Sequence, residues 1–99
     1  FLDHNNLQGY GRPTEICQFE PVIDKWKAFG WDVYRVNGHH FNEIISATQE
    51  PNKGKPKVIV ADTIKGKGVP FMEDEMKWHY FIVTNELKER ALQDLCKQV

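Results

Sequence analysis

Excess charge of either sign is missing from this chain: 13 Lys and Arg stand against 14 Asp and Glu, for a formal net charge of -1. With no basic surplus to neutralise phosphates, the composition argues against nucleic acid or an anionic membrane surface as partner. Long apolar runs are missing too. No stretch spans a bilayer, and no signal-peptide pattern precedes the first loop. There is no Asn-x-Ser/Thr acceptor and no Gly-Lys-Ser/Thr of a Walker A loop. Cysteine is scarce: Cys17 and Cys96 lie far apart and lack metal-ligand spacing. A disulfide between them is arithmetically open, but the preferred reading is a pair of reduced thiols in the cytosol. Internal repeats and low-complexity tracts are absent. What remains, 99 residues with 40% hydrophobic and 27% charged, is the composition of one soluble globular domain.

Hydrophobic periodicity organises this domain. In "EPVIDKWKAFGW", Val22, Ile23, Trp26 and Phe29 fall on one helical face, with Pro21 in the first turn and Gly30 at the stop. "WDVYRV" alternates apolar and polar residues and predicts a strand. After the "NG" turn, "HHFNEIISATQE" predicts a helix with Phe41, Ile44 and Ile45 inward, ending at Pro51. The run Val58 to Ala61 in "KVIVADT" suits a strand covered on both faces. "IKGKGVPFMEDEMKWHYFIV" reads as a long irregular connection, a kind that is usually functional or disordered. Finally, Thr84 caps a helix expected to bury Leu87, Ala91, Leu92 and Leu95. Alternating strands and helices imply a parallel α/β sheet with helices packed on it. Such sheets bind ligands beyond the carboxyl ends of their strands. The opening "LDHNNLQGYG", which reads as a strand end and its loop, therefore lies where chemistry is expected.

The loops at that edge carry suitable groups. In "DHNNLQGYG", Asn5 offers a side-chain carbonyl and Leu7 a backbone carbonyl, the oxygen donors that Mg²⁺ prefers. Asn and Gly are also ordinary loop residues. "TIKGKGVPF" sets Lys65 and Lys67 between glycines, a place where ammonium groups and backbone amides receive a diphosphate, although loop lysines are commonly just solvated. His79 in "KWHY" is a candidate to donate to a phosphate or to shuttle protons, with a packed, satisfied histidine as the alternative. His39 and His40 belong to the turn and start of a helix, and His4 adjoins the Asn5 loop. None of these three is assigned a catalytic role.

Together, "LDHNNLQGYG", "DKWKAFGWDVYRVNGHHFNEI", "KPKVIVADTIKGKGV" and "KWHY" resemble, in order and approximate spacing, the thiamine-diphosphate domain of transketolases. The likeness is nearest to the amino-terminal subunit of split, two-polypeptide bacterial and archaeal transketolases. The related 1-deoxyxylulose-5-phosphate synthases share "KGKG" and the later His, but "FGW" and "WH" favour the transketolase branch. The resemblance implies a Rossmann-like, parallel-sheet fold, with residues 1–99 forming the C-terminal half of a thiamine-diphosphate-binding domain. It implies thiamine diphosphate held through Mg²⁺ (or Ca²⁺ or Mn²⁺). Asn5 and the Leu7 carbonyl would be metal ligands, and Lys65 and His79 would contact the cofactor. His79 would also be the catalytic residue of the set.

The family's Gly-Asp-Gly half of the metal motif is not in these 99 residues and is expected upstream. The glutamate that activates the cofactor is expected on a companion segment or subunit carrying the pyrimidine-binding domain. Sugar phosphates are the implied substrates, a homo- or hetero-oligomer the implied assembly, and the cytoplasm the implied location. The implied reaction transfers a two-carbon ketol unit from a ketose phosphate to an aldose acceptor. One departure bears on the substrate channel: the residue after the motif histidine is often Gly in the family and is Tyr80 here. Two other readings stand beside this one. The first is a non-catalytic α/β fragment or assembly module with an incomplete cofactor site. The second is an unrelated phosphate-binding α/β domain that uses the lysine loop.

Overall fold

The fold was described from a computed structural model, in which residues 1–97 are described. Strand β1 (Leu2–His4) leads through a loop to a one-turn helix α1 (Pro13–Ile16), then to α2 (Val22–Ala28) and β2 (Asp32–Asn37). Helix α3 (Phe41–Gln49) precedes β3 (Lys57–Asp62), a long connection holds one 3₁₀ turn at Met76–His79, and α4 (Asn85–Cys96) follows. Residues 2–4 and 32–37 pair with β3 in parallel, giving a 3-stranded sheet in the order β1-β3-β2. The α/β parallel-sheet architecture expected from the sequence is present.

Strand β3 sits at the centre because its residues are apolar on both faces. Val58 and Val60 bury with Val22 of α2, flanked by Trp26, Trp31 and Phe19. Ile59 and Ala61 bury with Val36 and with Ala47 of α3. A strand whose successive side chains point to opposite faces satisfies both clusters only when each face carries a helix. Sequence and packing thus agree on β3.

The helix faces are narrower than the periodicity suggested. Phe29 falls at the C-cap of α2 and is 78% exposed; Phe41 and Ile45 of α3 are exposed as well. On α3 the inward face runs through Ile44 and Ala47 instead. A small side chain at 47 allows the helix to lie close to β3, which turns the bulkier Phe41 and Ile45 outward. Helix α4 forms with Thr84 as N-cap, whose hydroxyl accepts from the Leu87 N–H, but none of its residues is buried. Leu92 and Leu95 stay exposed, contrary to expectation, since no described element covers that face. Cys17 and Cys96 are free and exposed.

All strands end level. His4 and Asn37 both stand in register with Asp62, so the three following loops leave the sheet at one edge. Gly38 is required at that edge. A Cβ there would lie 3.0 Å from the Asp62 carbonyl oxygen and collide with Thr63.

Candidate functional site

Two of those loops close around one small cavity of about 110 Å³. Asn5, Leu7, Gln8 and Gly9 line it from the loop after β1, and Lys65, Met76 and His79 from the connection after β3. Asn5, Leu7, Lys65 and His79, singled out in the sequence, are therefore brought together. Lys67 is not; its ammonium turns to Glu73 at 3.7 Å. Gln8 and Met76 were not anticipated. Their only signal is proximity to Leu7 and His79 in the chain.

The loop after β1 takes its shape from Asn6, whose φ of 57° places it in the left-handed region that Asn tolerates. The turn brings the Leu7 N–H back to the Asn5 Oδ1 at 2.9 Å. Asn5 Nδ2 donates to Asp3 Oδ2 at 3.2 Å. A carboxylate only accepts and a backbone N–H only donates, so these partners leave one orientation for the Asn5 amide. Its Oδ1 keeps a second lone pair. The loop's own closing hydrogen bonds run between Gln8 and Gly11, leaving the Leu7 carbonyl outside them. The donor set is thus amide and peptide oxygen, chemistry that suits a hard divalent cation. Among the described residues no three His, Cys, Asp or Glu side chains gather at a metal-binding spacing.

The second wall is built by aromatic packing. Trp78 stacks edge-on between Phe71 and Phe81, with centroids 5.5 and 5.8 Å away, and its Nε1 donates to the Phe71 carbonyl at 2.9 Å. Arg90 of α4 lies over Phe71, 4.4 Å from its centroid. With Trp78 anchored, the next residue, His79, projects to the cavity. Gly66, at φ 75°, packs against the Met72 carbonyl where a Cβ would clash, which folds the connection back on itself. Tyr80 meets the His79 ring edge-on at 4.7 Å, and its hydroxyl occupies the space beside Gly9. Arg12 clasps Asp74 with both guanidinium nitrogens, at 2.7 and 3.3 Å, joining the two walls from outside. This contact lowers the Asp74 carboxyl below its ordinary range.

The other histidines have partners of their own. His39 Nε2 accepts from the Ile64 N–H at 2.8 Å, so that nitrogen carries a lone pair and pins the turn. His40 contacts Glu43 at the start of α3. His4 is buried, with Nδ1 2.6 Å from Asp62 Oδ1 and Nε2 3.3 Å from Glu20 Oε1.

The cavity, with its oxygen atoms, ammonium and imidazole, lies beyond the carboxyl ends of the parallel strands of an α/β domain, where such sheets commonly bind ligands. The family described as "Transketolase, thiamine diphosphate binding domain" matches residues 1–94, and the chain belongs to it. It is 41% identical over 100 residues to the 6-deoxy-6-sulfo-D-fructose transketolase subunit SqwG of Clostridium sp. (strain MSTE9), covering 99% of this chain and 36% of that protein. It is 38% identical over 101 residues to one of the subunits of apulose-4-phosphate transketolase from Phocaeicola vulgatus, with the same coverages. The crystal structure of transketolase from Campylobacter jejuni superposes with a TM-score of 0.83 at 29% identity, over 95% of this chain and 15% of that one. The chain thus spans about a third of the length of its curated subunit relatives.

Proposed function

We propose that residues 1–99 form part of the cofactor domain of a thiamine-diphosphate-dependent transketolase. It would transfer a two-carbon ketol unit from a ketose phosphate to an aldose acceptor. The observation that carries this reading is the convergence of Asn5, Leu7, Lys65 and His79 on one cavity from distant parts of the chain. Asn5 Oδ1 and the Leu7 carbonyl would hold Mg²⁺, and the same donors accept Ca²⁺ or Mn²⁺. When bound, thiamine diphosphate supplies the carbanion chemistry that carries the two-carbon fragment. Lys65 would neutralise diphosphate charge. His79 would donate to a phosphate oxygen or move a proton at the substrate, with Tyr80 narrowing the approach. The remaining ligands would come from other segments of the polypeptide, and the pyrimidine-binding domain from a companion segment or subunit. Relatives named as transketolase subunits support an oligomeric assembly. A cytoplasmic location is part of the same proposal.

The alternative is a non-catalytic α/β fragment or assembly module with an incomplete cofactor site. Thermal unfolding of the full-length, assembled protein with thiamine diphosphate and Mg²⁺ separates the two. Ligand at a hundred times its Kd stabilises by about 2.7 kcal/mol. A clear rise in Tm is expected for the assembly and little for residues 1–99 alone; no rise in the assembly rejects the transketolase reading. Asn5→Ala is expected to weaken Mg²⁺-dependent cofactor binding about tenfold or more, the loss seen even for outer-sphere partners. Wild-type affinity would remove Asn5 from the ligand set.

A further inference from the structure

We infer that Asp3 is a positioning residue for the cation site, acting through the side-chain amide of Asn5; the inference rests on the reading just proposed. Asp3 lies on β1 opposite Ala61, and its two carboxylate oxygens serve different partners. Oδ1 accepts from the Thr63 hydroxyl, and Oδ2 accepts from Asn5 Nδ2 at 3.2 Å. Thr63 is itself fixed, because its N–H donates to the His4 carbonyl at 3.3 Å. The end of β3 thus holds Asp3, and Asp3 holds Asn5.

The two ends of an asparagine amide are nearly equal in size, so sterics alone do not choose which one faces a cavity. A cation discriminates sharply: the carbonyl oxygen binds it and the NH₂ repels it. The Asp3 carboxylate can only accept, so it captures the NH₂ and turns Oδ1 to the other side, where the Leu7 N–H meets it. Asn5 Oδ1 is then held in place before any cation arrives. Ordering a ligand by its outer partner is the usual means of tuning metal affinity. No direct bond from Asp3 to the ion is involved.

The test uses the full-length, assembled protein and compares Mg²⁺-dependent thiamine diphosphate binding by equilibrium dialysis with Tm measured without cofactor. Asp3→Ala is expected to weaken binding on the order of ten- to a hundredfold while Tm falls little. Asp3→Asn is expected to restore most of the affinity. Its amide oxygen accepts from Asn5, and its NH₂ donates to the Thr63 hydroxyl, which can reverse roles. Thr63→Val, which removes the hydroxyl at nearly constant volume, should give a smaller loss in the same direction. In the cofactor-free protein, the Asn5 side-chain amide resonances should shift towards free-amide values in Asp3→Ala and stay near wild type in Asp3→Asn.

Equal losses in Asp3→Ala and Asp3→Asn would mean that charge or direct ligation matters rather than orientation, and would overturn the inference. So would wild-type affinity in Asp3→Ala. If Asn5→Ala is impaired while Asp3→Ala is not, only the positioning role fails. If Asn5→Ala also binds normally, the metal-ligand reading beneath it fails.

Discussion

Asp62 closes β3 and joins groups from both neighbouring strands. Its carboxylate accepts from Arg35 Nε at 2.7 Å and Nη2 at 3.0 Å, and lies 2.6 Å from His4 Nδ1. The Arg35 hydrogen bonds chiefly hold the Asp62 carboxyl below its ordinary range, partial desolvation opposing them, with His4 adding to the lowering. A carboxyl with a lower folded than unfolded value stabilises fully above the unfolded value, near pH 4, and loses that contribution as pH falls through the folded value. Asp62→Asn is therefore expected to lower stability at neutral pH and to flatten the acid limb of the stability curve below about pH 4. Because the side chain is 42% exposed, solvent screening keeps the effect modest. Urea midpoints measured at neutral and acidic pH check this. Equal losses at both would show that the ionised carboxylate is not the origin. The pairing spans 58 positions from His4 to Asp62, a distance over which sequence gives no signal, although each residue's place at a strand end was readable.

At the scale of the element, α3 ends on an unexpected cap. Its last turn holds no basic residue, yet Lys57, the first residue of β3, extends Nζ to the carbonyls of Ala47, Thr48 and Glu50 at 3.1, 3.1 and 2.6 Å. These are the orphan acceptors of a helix C-terminus, and a cation there also opposes the helix dipole. Lys57→Met keeps an apolar stem but removes the ammonium, which also lies 5.4 Å from the Tyr34 ring centroid; a loss of about 1–2 kcal/mol is expected by chemical denaturation. An unchanged unfolding free energy would show that water caps the helix equally well. The extent of α3 was legible from its periodicity and the following Pro51. Its inward face was not, because Ala47 scores weakly as a hydrophobe but fits where Phe41 cannot.

At the scale of the whole molecule, the described chain is flat. Its extents are 49 × 33 × 16 Å and its radius of gyration is 16.4 Å. A compact domain of this length has a radius near 13 Å. The excess comes with exposed apolar side chains, among them Phe81, Ile82, Leu92 and Leu95 around α4. A helix with no buried residue is held mainly by local terms, and these are marginal for 12 residues. Backbone amides of α4 are expected to exchange hydrogen far faster than those of β3. Equal protection of α4 and β3 would mean that Phe71, Arg90 and their neighbours suffice to hold it.

Elements whose pattern is dense and local were legible from the order of residues alone. β3 was readable because four successive apolar residues in a short run suit a strand covered on both faces, and α4 because Thr84 and the leucine spacing define a capped amphipathic helix. It also pointed to the loops after β1 and β3, and to Asn5, Leu7, Lys65 and His79 within them. Which side chains meet was set by packing across the fold. Lys65 reaches the cavity while Lys67 turns away, Asp3 orients Asn5, and Asp62 ties His4 to Arg35. The physical reason is range: helical and strand periodicity arise from neighbours within a few residues. The orientation of a polar side chain depends on donors and acceptors brought next to it by packing across the sheet.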